Sequence, residues 1–428
     1  MAPGGHGVAV RVLMFGWEFP PFQAGGLATA TVGLVKGLLR TEVGVTLVVP
    51  FPAEQSPLPE LRLVGADAPA EELVVHRVPS PMTPYGGAAE YQEIFSALRR
   101  AGRSPGAVYG ADLFQEVARY AAQAGAIAAR EPHDLIDTHD WITFAAGIAA
   151  RAVSGRPLVA HIHATEFDRA GAGANPEICR REHDGMVAAD RVVANSHALK
   201  RTCVERYGIP AAKIDVVHWG IDPEAVAPDL PRQSPFRPRP GAPGARVPVV
   251  LFLGRVTWQK GPDYFIEMAG RVAAHVPGVK FIVAGQGDML PALIRRTAEL
   301  GIADRVHFAG GVHGPQVQRL YRLADVCVMP SVSEPFGLVA LESLRHGTPC
   351  ILPRTAGVAE VIQHAFKVDF WDVDAMTNQI VALLRYPALR EELATRAQRE
   401  VEGDRFSLEA PARLTSASYT RALQERSA

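Results

Sequence analysis

Cysteine, excess charge and long apolar runs are all scarce in this sequence of 428 residues. The cysteines form no C-x-x-C pair, which argues against structural zinc and favours reduced thiols. The formal net charge is −1, whereas nucleic-acid binding needs a clustered excess of Lys and Arg. No apolar run reaches the roughly 20 residues of a membrane span, and Arg11 interrupts the N-terminal stretch where a signal peptide would lie. We therefore expect a cytoplasmic protein that does not bind nucleic acid.

Short β-branched runs alternate with helical patterns along almost the whole chain. Several runs are apolar nearly throughout, as expected for strands that are covered on both faces. The predicted strands are Val8–Phe15, Val45–Val49, Leu73–Val78, Leu135–His139, Leu158–His163, Val192–Ala194 and Ile214–Val217, followed by Val249–Leu253, Lys280–Ala284, Val306–Phe308, Val326–Met329 and Cys350–Leu352. This repetition predicts an α/β protein with parallel sheets and right-handed crossovers.

A stretch rich in proline and glycine, at 222–248, separates the two series of strands. Proline lacks a backbone donor and restricts its predecessor, so this stretch is predicted to be a linker. It would join two doubly wound, Rossmann-like domains, at 1–221 and 249–386, and a helical tail at 387–428 would pack on either one. Ligands of such sheets bind beyond the carboxyl ends of the strands, so two facing sheets would place the site in the cleft between them.

The pair Gly25-Gly26 follows the first strand and opens a helix. Glycine lets the backbone approach an anion, and a helix N-terminus offers unpaired N–H groups to phosphate. A tight strand-to-helix turn explains the glycines equally well. A P-loop is excluded because no Gly-Lys-Ser/Thr follows.

Two cations, Arg255 and Lys260, leave the first strand of the second domain in one loop. Arg suits planar oxygen pairs and Lys acts as a point charge, so together they suit a diphosphate. The alternative is that both are solvated surface charges.

The carboxylates Glu334 and Glu342 follow a later strand of the same domain. A fully helical segment would place them at most about 12 Å apart, which matches the span from the hexose to the ribose of a nucleotide sugar. The amides between them that would face the phosphates are those of Phe336, Gly337 and Leu338. The alternative is a plain helix entry with Pro335 at an early helical position.

Histidines and an aspartate end two consecutive strands of the first domain: His139, Asp140, His161 and His163. His161 and His163 share a face because they are two residues apart on a strand. A metal site would need a further ligand in register, and none is evident. A polar pocket for sugar hydroxyls fits as well, and we predict no metal.

Two further patterns have simpler explanations. The D-x-D at Asp372–Asp374 matches a manganese motif of another glycosyltransferase architecture, but here it precedes a helix, which favours an N-cap aspartate. The G-x-G at Gly285–Gly287 lacks the third glycine of a dinucleotide fingerprint, where Leu290 stands. This departure counts against a dinucleotide-dependent oxidoreductase.

The ordered set resembles the retaining GT-B glycosyltransferases of family 4, which are allied to glycogen and starch synthases. The matching motifs are Gly25-Gly26-Leu27, His163, Gly254-Arg255 with Lys260-Gly261, and the E-x₇-E pair Glu334 and Glu342. They span about Val10 to Leu384. The resemblance implies a metal-independent hexosyltransferase without a cofactor, which uses ADP-glucose or UDP-glucose as donor and a saccharide such as an α-glucan as acceptor. A lipid or other small acceptor, or a sugar-nucleotide epimerase on the same fold, is the alternative.

The resemblance also implies roles for residues of the donor site. Arg255 and Lys260 would hold the donor diphosphate and neutralise the leaving group. Gly26 would direct a backbone N–H to the same phosphates. Glu334 would contact the transferred hexose, and Glu342 the ribose hydroxyls.

For the first domain, the resemblance implies that His163 contacts the hexose near the reacting carbon. His139 and Asp140 correspond to positions that line the acceptor side in related synthases. The sequence departs from the family at Gln23, where glycogen synthases carry Lys, and at Trp219, where many members carry Asn. The first departure removes one cation near the sugar or the phosphate.

Overall fold

The computed structural model describes residues 10–17, 26–41, 43–49, 73–77, 111–222 and 247–427. The chain divides into two compact units. Unit 1 combines Met1–Glu166, Ala174–Gly220 and Leu408–Ala428, and unit 2 combines Phe167–Gly173 with Ile221–Ser407. The predicted linker at 222–248 lies almost entirely outside the described residues, as do Gly25 and Gln23.

Unit 1 is built on a parallel sheet of seven strands in the order β3-β2-β1-β4-β5-β6-β7. The strands are β1 (Val10–Phe15), β2 (Val43–Val49), β3 (Leu73–Arg77), β4 (Leu135–His139), β5 (Leu158–Ile162), β6 (Arg191–Ala194) and β7 (Ile214–Val216). The helices along this part of the chain are α1 (Gly26–Leu39), α2 (Ala111–Arg130), α3 (Trp141–Ser154), α4 (Glu166–Ala170), α5 (Pro176–Ala188) and α6 (His197–Tyr207). The order reverses between β1 and β4, which makes the carboxyl end of β4 a preferred place for a ligand.

Unit 2 is built on a parallel sheet of six strands in the order β10-β9-β8-β11-β12-β13. The strands are β8 (Val249–Leu253), β9 (Lys280–Ala284), β10 (Val306–Gly310), β11 (Val326–Val328), β12 (Cys350–Pro353) and β13 (Phe366–Val368). The helices are α7 (Pro262–His275), α8 (Leu290–Glu299), α9 (Pro315–Leu323), α10 (Leu338–Arg345), α11 (Val373–Arg385) and α12 (Pro387–Val401). The strand order reverses between β8 and β11.

The sheets confirm the predicted α/β class, and all the predicted strands are present. The sequence analysis missed β13, which has only three residues and a single buried one, Val368. It pairs in parallel with β12 and extends the sheet by one strand. Such a short, half-exposed run has no period that a sequence pattern could reveal.

The last helix, α13 (Glu409–Ser427), belongs to unit 1, whereas α12 belongs to unit 2. The segment predicted as one tail is therefore divided. Ala412, Tyr419 and Ala422 lie at helical spacing and join the core that β1, β2 and α1 form in unit 1. Gly37 of α1 makes this contact close, because a Cβ there would lie 2.3 Å from the carbonyl oxygen of Leu408.

The ends of several helices follow from side-chain capping. Asn175 accepts a hydrogen bond from the amide of Glu177 at the start of α5, and Ser196 accepts one from Leu199 at the start of α6. Asp372 caps α11 through the amide of Ala375, which confirms the N-cap interpretation of the D-x-D pattern. In the part of the chain that the structure describes, no helix has the length and apolar character of a membrane span.

Candidate functional site

The loop between β8 and α7 carries Arg255 and Lys260 at the carboxyl edge of the unit 2 sheet. Gly261 ends the loop with a φ of +60°. A Cβ at this position would lie 2.1 Å from the carbonyl oxygen of Pro330, so only glycine fits. The close approach holds the loop against the segment that follows β11.

The G-x-G pattern serves this same loop. A Cβ on Gly285 would lie 1.8 Å from the carbonyl oxygen of Gly254, and one on Gly287 would lie 2.1 Å from that of Val256. The amide of Val256 donates to the carbonyl of Gln286 at 2.7 Å. The two glycines therefore let two backbone segments pack together, and this packing accounts for the pattern without a dinucleotide.

Lys260 forms a close ion pair with Glu334. Its Nζ lies 3.0 Å from Oε1 and 2.8 Å from Oε2 of the carboxylate, and the hydroxyl of Ser331 donates to Oε2 at 3.0 Å. The side chains are 21% and 8% exposed, so Lys260 is not the solvated surface charge of the alternative interpretation. The pair joins the loops that follow β8 and β11, where the strand order of the sheet reverses.

Arg255 lies on the same loop and is partly buried. Its guanidinium donates to the side-chain oxygen of Gln259 at 2.8 Å, and Gln259 itself is buried. The contact orients the guanidinium within a loop that already carries Lys260. Unit 2 thus gathers two cations and one carboxylate at one sheet edge.

The segment between Glu334 and α10 is not helical. Gly337 has a φ of +112° and is the N-cap of α10, which begins at Leu338. The carbonyls of Glu334 and Phe336 instead accept hydrogen bonds from the amides of Gly357 and Val358, at 3.0 and 2.8 Å. The interpretation of Pro335 as an early helical residue is therefore wrong, because this backbone is tied to a neighbouring segment. The amides of Gly337 and Leu338 lie at the N-terminus of α10.

Glu342 lies one turn further along α10. Its Oε2 accepts a hydrogen bond from the hydroxyl of the buried Tyr321 at 2.7 Å. Burial raises the pKa of Glu342, and the bond from Tyr321 offsets only part of that rise. Glu334 and Glu342 therefore have different environments, an ion pair for one and a neutral donor for the other.

In unit 1 the predicted histidines come together at the carboxyl ends of β4 and β5. His139 Nδ1 lies 2.8 Å from His163 Nε2, and the two rings lie within 10° of parallel with centroids 5.1 Å apart. The ring of His161 stacks on that of His139 at 4.7 Å. A metal site needs lone pairs that converge on one point, whereas here two ring nitrogens face each other as donor and acceptor.

Asp140 holds the backbone of His163. Its Oδ1 accepts a hydrogen bond from the amide of His163 at 2.7 Å, and the side-chain amide of Asn195 donates to the carbonyl of His163 at 2.9 Å. Asp140 has a φ of +60°, which no other non-glycine residue shares among those the structure describes. Such a conformation costs about 1–3 kcal/mol and persists only where its surroundings require it.

A buried carboxylate, Asp137, lies beneath the histidines on β4. Its Oδ1 is 3.3 Å from His161 Nε2, its Oδ2 is 3.7 Å from His139 Nε2, and Oδ2 also accepts a hydrogen bond from the hydroxyl of Tyr419 on α13. Burial alone would raise the pKa of Asp137, but these neighbours outweigh it and hold the pKa below its usual range. Burial also lowers the pKa of His161 to about 4, against the pull of Asp137.

Comparison with known proteins identifies the family. Residues 24–225 match the model described as Glycosyltransferase Family 4, and residues 237–400 match the model described as Glycosyl transferases group 1. A D-inositol 3-phosphate glycosyltransferase from Mycolicibacterium paratuberculosis is 33% identical over 331 residues, which are 73% of each chain. The chain belongs to the GT-B glycosyltransferases.

Solved structures share the fold of this GT-B glycosyltransferase. HepE from Anabaena, in complex with UDP and glucose, has a TM-score of 0.70 at 18% identity, over 96% of this chain and 100% of its own. The catalytic domain of starch synthase IV from Arabidopsis thaliana, bound to ADP and acarbose, has a TM-score of 0.70 at 17% identity, over 97% and 99%. The predicted resemblance to starch synthases is confirmed at the level of the fold.

The sequence analysis of this glycosyltransferase found most of the polar residues at the two sheet edges, and their ligand roles stay predictions. It did not assign roles to Asp137, Asn195, Tyr321 or Tyr419. Asn195 follows β6, next to β5, and the rule that strand ends carry sites could have found it. Tyr419 gave no signal, because nothing local links a tyrosine of the last helix to β4.

Proposed function

We propose that this GT-B glycosyltransferase moves a hexosyl group, with retention of configuration, from a nucleoside-diphosphate sugar to a hydroxyl of a saccharide acceptor. One observation carries the proposal. Lys260, paired with Glu334, lies with Arg255 on a rigid loop at the switch point of the unit 2 sheet. Two cations and a carboxylate in that place suit a diphosphate attached to a sugar.

The charges suit the departure of the leaving group. When the bond to the sugar breaks, negative charge grows on the β-phosphate, and preorganised donors there lower the barrier. Arg255 and Lys260 supply positive charge, and the N-terminus of α10 supplies N–H groups. In this proposal these groups do the work of a divalent cation, and transfer needs no metal.

Glu334 orients the hexose in this proposal. A double displacement would require a carboxylate nucleophile close to the anomeric carbon. Both oxygens of Glu334 are engaged, Oε1 with Lys260 and Oε2 with Lys260 and Ser331. This arrangement favours a carboxylate that positions Lys260 and accepts a hydrogen bond from a sugar hydroxyl. Retention would then follow from attack on the same face, with the leaving phosphate taking the proton of the acceptor.

Glu342 and His163 complete the donor contacts of the proposal. Tyr321 holds Oε2 of Glu342, so Oε1 can accept hydrogen bonds from the ribose hydroxyls. His163 would contact the hexose, and its backbone is already fixed by Asp140 and Asn195. His139 and Asp140 stay assigned to the acceptor side.

UDP-glucose and ADP-glucose are the first donors to test. UDP with glucose and ADP with acarbose are bound by two proteins of the same fold. A maltooligosaccharide is the first acceptor. D-inositol 3-phosphate, which the name of a 33% identical relative gives as its substrate, is the second.

Product analysis tests the proposal. The protein is incubated in EDTA with each donor, with and without each acceptor, and the new anomeric proton is identified by NMR. We expect one donor to yield a product whose anomeric configuration is that of the donor. An inverted product would contradict retention, conversion of the sugar nucleotide without an acceptor would indicate an epimerase, and turnover of NAD alone would contradict glycosyl transfer.

A further inference from the structure

We propose that Asp137 is a positioning residue that fixes the tautomer and orientation of His163 through His139. This inference rests on the proposed role of His163 as a hexose contact. Asp137 itself is completely buried. It would act only through the imidazoles that face it.

The buried negative charge of Asp137 is stabilised when its neighbours present N–H or O–H groups to it. An ionised carboxylate without compensation is costly in a protein interior. The hydroxyl of Tyr419 donates to Oδ2, and the Nε2 atoms of His161 and His139 face Oδ1 and Oδ2 at 3.3 and 3.7 Å. Neither Nε2 contact has hydrogen-bond geometry, but a lone pair held this close to the carboxylate would be repelled by its charge, which favours the proton on both nitrogens.

The position of the proton on His139 determines which nitrogen of His163 carries its proton. A neutral imidazole has one N–H and one lone pair. With its proton on Nε2, His139 has a lone pair on Nδ1, which lies 2.8 Å from His163 Nε2. His163 must then donate from Nε2, so its own proton is fixed on that nitrogen. The charge of Asp137 thus selects one tautomer of a ring that it does not touch.

The chain of contacts also restricts how the ring of His163 can turn. Asp140 and Asn195 hold the backbone of His163, and the bond to His139 holds the ring. Tyr419 is part of this arrangement, because its hydroxyl orients the carboxylate of Asp137 from the far end of the chain. Carboxylates that orient metal-binding imidazoles are typically worth about 10–100-fold in activity, and we expect an effect of that size here.

The test uses the full-length protein with ring-¹⁵N-labelled histidine and compares wild type with Asp137→Asn. Asn keeps the shape but removes the charge that selects the proton on His139 Nε2. Asp134→Asn, at a partly buried aspartate just before β4 that pairs with Arg11, is the matched control. Long-range ¹H–¹⁵N spectra report the tautomer of each ring, and His139→Gln and His163→Gln assign the signals.

We expect His139 and His163 to be protonated on Nε2 in wild type and in Asp134→Asn, and to lose that preference in Asp137→Asn. The kcat of transfer should fall by about 10–100-fold in Asp137→Asn, with little change in the KM for the donor. Identical ring spectra in wild type and Asp137→Asn, or an unchanged kcat, would overturn the inference.

Two further results keep the test decisive. If Asp137→Asn does not fold, Tyr419→Phe replaces it, because it removes one donor to Asp137 and keeps the charge. Because one donor is lost while the charge stays, both rings should keep their proton on Nε2, and loss of that preference would overturn the inference. If wild type transfers no sugar while the ring spectra still depend on Asp137, the proposed function has failed and the positioning of His163 has not.

Discussion

The polar sites in the two units of this GT-B glycosyltransferase differ in residue type and in burial. Unit 2 uses an ion pair, Lys260 with Glu334, that is partly open to solvent and lies on two loops at neighbouring strand ends. Unit 1 uses three buried histidines over a buried carboxylate, and one of its partners comes from the last helix. A charged group that must exchange partners needs solvent access, whereas burial and packing against neighbouring rings hold a group in one orientation.

The largest expected effect on activity comes from Arg255→Ala in unit 2. If Arg255 stabilises charge on the leaving phosphate, its loss should lower kcat by about 10²–10³. Folding should be almost unaffected, since Arg255 contacts Gln259 at the edge of the sheet and is not part of the core. Steady-state kinetics with the donor from the product analysis measure the effect.

Arg271→Ala is the control, because Arg271 is an exposed arginine of the same unit that pairs with Asp374. It should keep wild-type kcat. Equal kcat in Arg255→Ala and Arg271→Ala would remove Arg255 from the site.

In unit 1 the strained residue Asp140 gives the next largest effect. In Asp140→Ala the residue keeps its positive φ but loses the carboxylate that accepts a hydrogen bond from the amide of His163. We expect a loss of about 2–3 kcal/mol in the free energy of unfolding, measured by urea denaturation. Asp140→Asn keeps an oxygen that can accept from that amide, so it should lose much less. Equal stability of the two variants would show that this hydrogen bond does not matter.

The dependence of stability on pH tests whether His161 is buried as a neutral imidazole. His161 has a folded-state pKa of about 4, whereas an unfolded histidine titrates near 6.5. As pH falls through this window the unfolded chain takes up a proton that the folded chain refuses, so stability is lost. Between pH 7.5 and 5, the urea midpoint should fall less in His161→Gln than in wild type. A larger fall in His161→Gln would contradict the burial of a neutral imidazole.

Tyr321→Phe gives the smallest effect. It concerns Glu342, whose carboxylate accepts a hydrogen bond from a tyrosine, whereas that of Glu334 pairs with a lysine. It removes the hydrogen bond to Glu342, so the pKa of Glu342 should rise further and stability should fall by about 0.5–1.5 kcal/mol. The KM for the donor should rise a few-fold, because Glu342 would be held less firmly. Tyr386→Phe, at an exposed tyrosine, is the control and should change neither quantity.

The sequence predicted the clustering of polar residues in unit 2 well, because these residues lie in loops that follow strands. Lys260 and Glu334 each follow an apolar strand, and parallel strands bring their carboxyl ends to one edge. Their direct pairing was not predicted, because it depends on how the segment that follows Glu334 is held. The amides of Gly357 and Val358 donate to carbonyls of this segment, and no local pattern reveals such tertiary contacts.

The unit 1 site was predicted only in outline. Periodicity placed His139, His161 and His163 on adjacent strands, but neither the stacking of their rings nor the role of Asp137 follows from spacing. Tyr419 reaches Asp137 because an apolar face of α13 packs into the core of unit 1. Which unit receives that helix is decided by the fit of small residues such as Gly37, and this fit appears only in three dimensions.

The central claim is that side chains of unit 2 hold the donor diphosphate without a metal. Calorimetric titration of UDP-glucose and ADP-glucose in EDTA, into wild type, Lys260→Ala and the control Lys280→Ala at the first residue of β9, tests it most directly. We predict that one donor binds wild type and Lys280→Ala alike, and binds Lys260→Ala at least about 10-fold more weakly, as loss of one charged hydrogen bond implies. Binding that appears only when Mn²⁺ is added, or that is unchanged in Lys260→Ala, would contradict the claim.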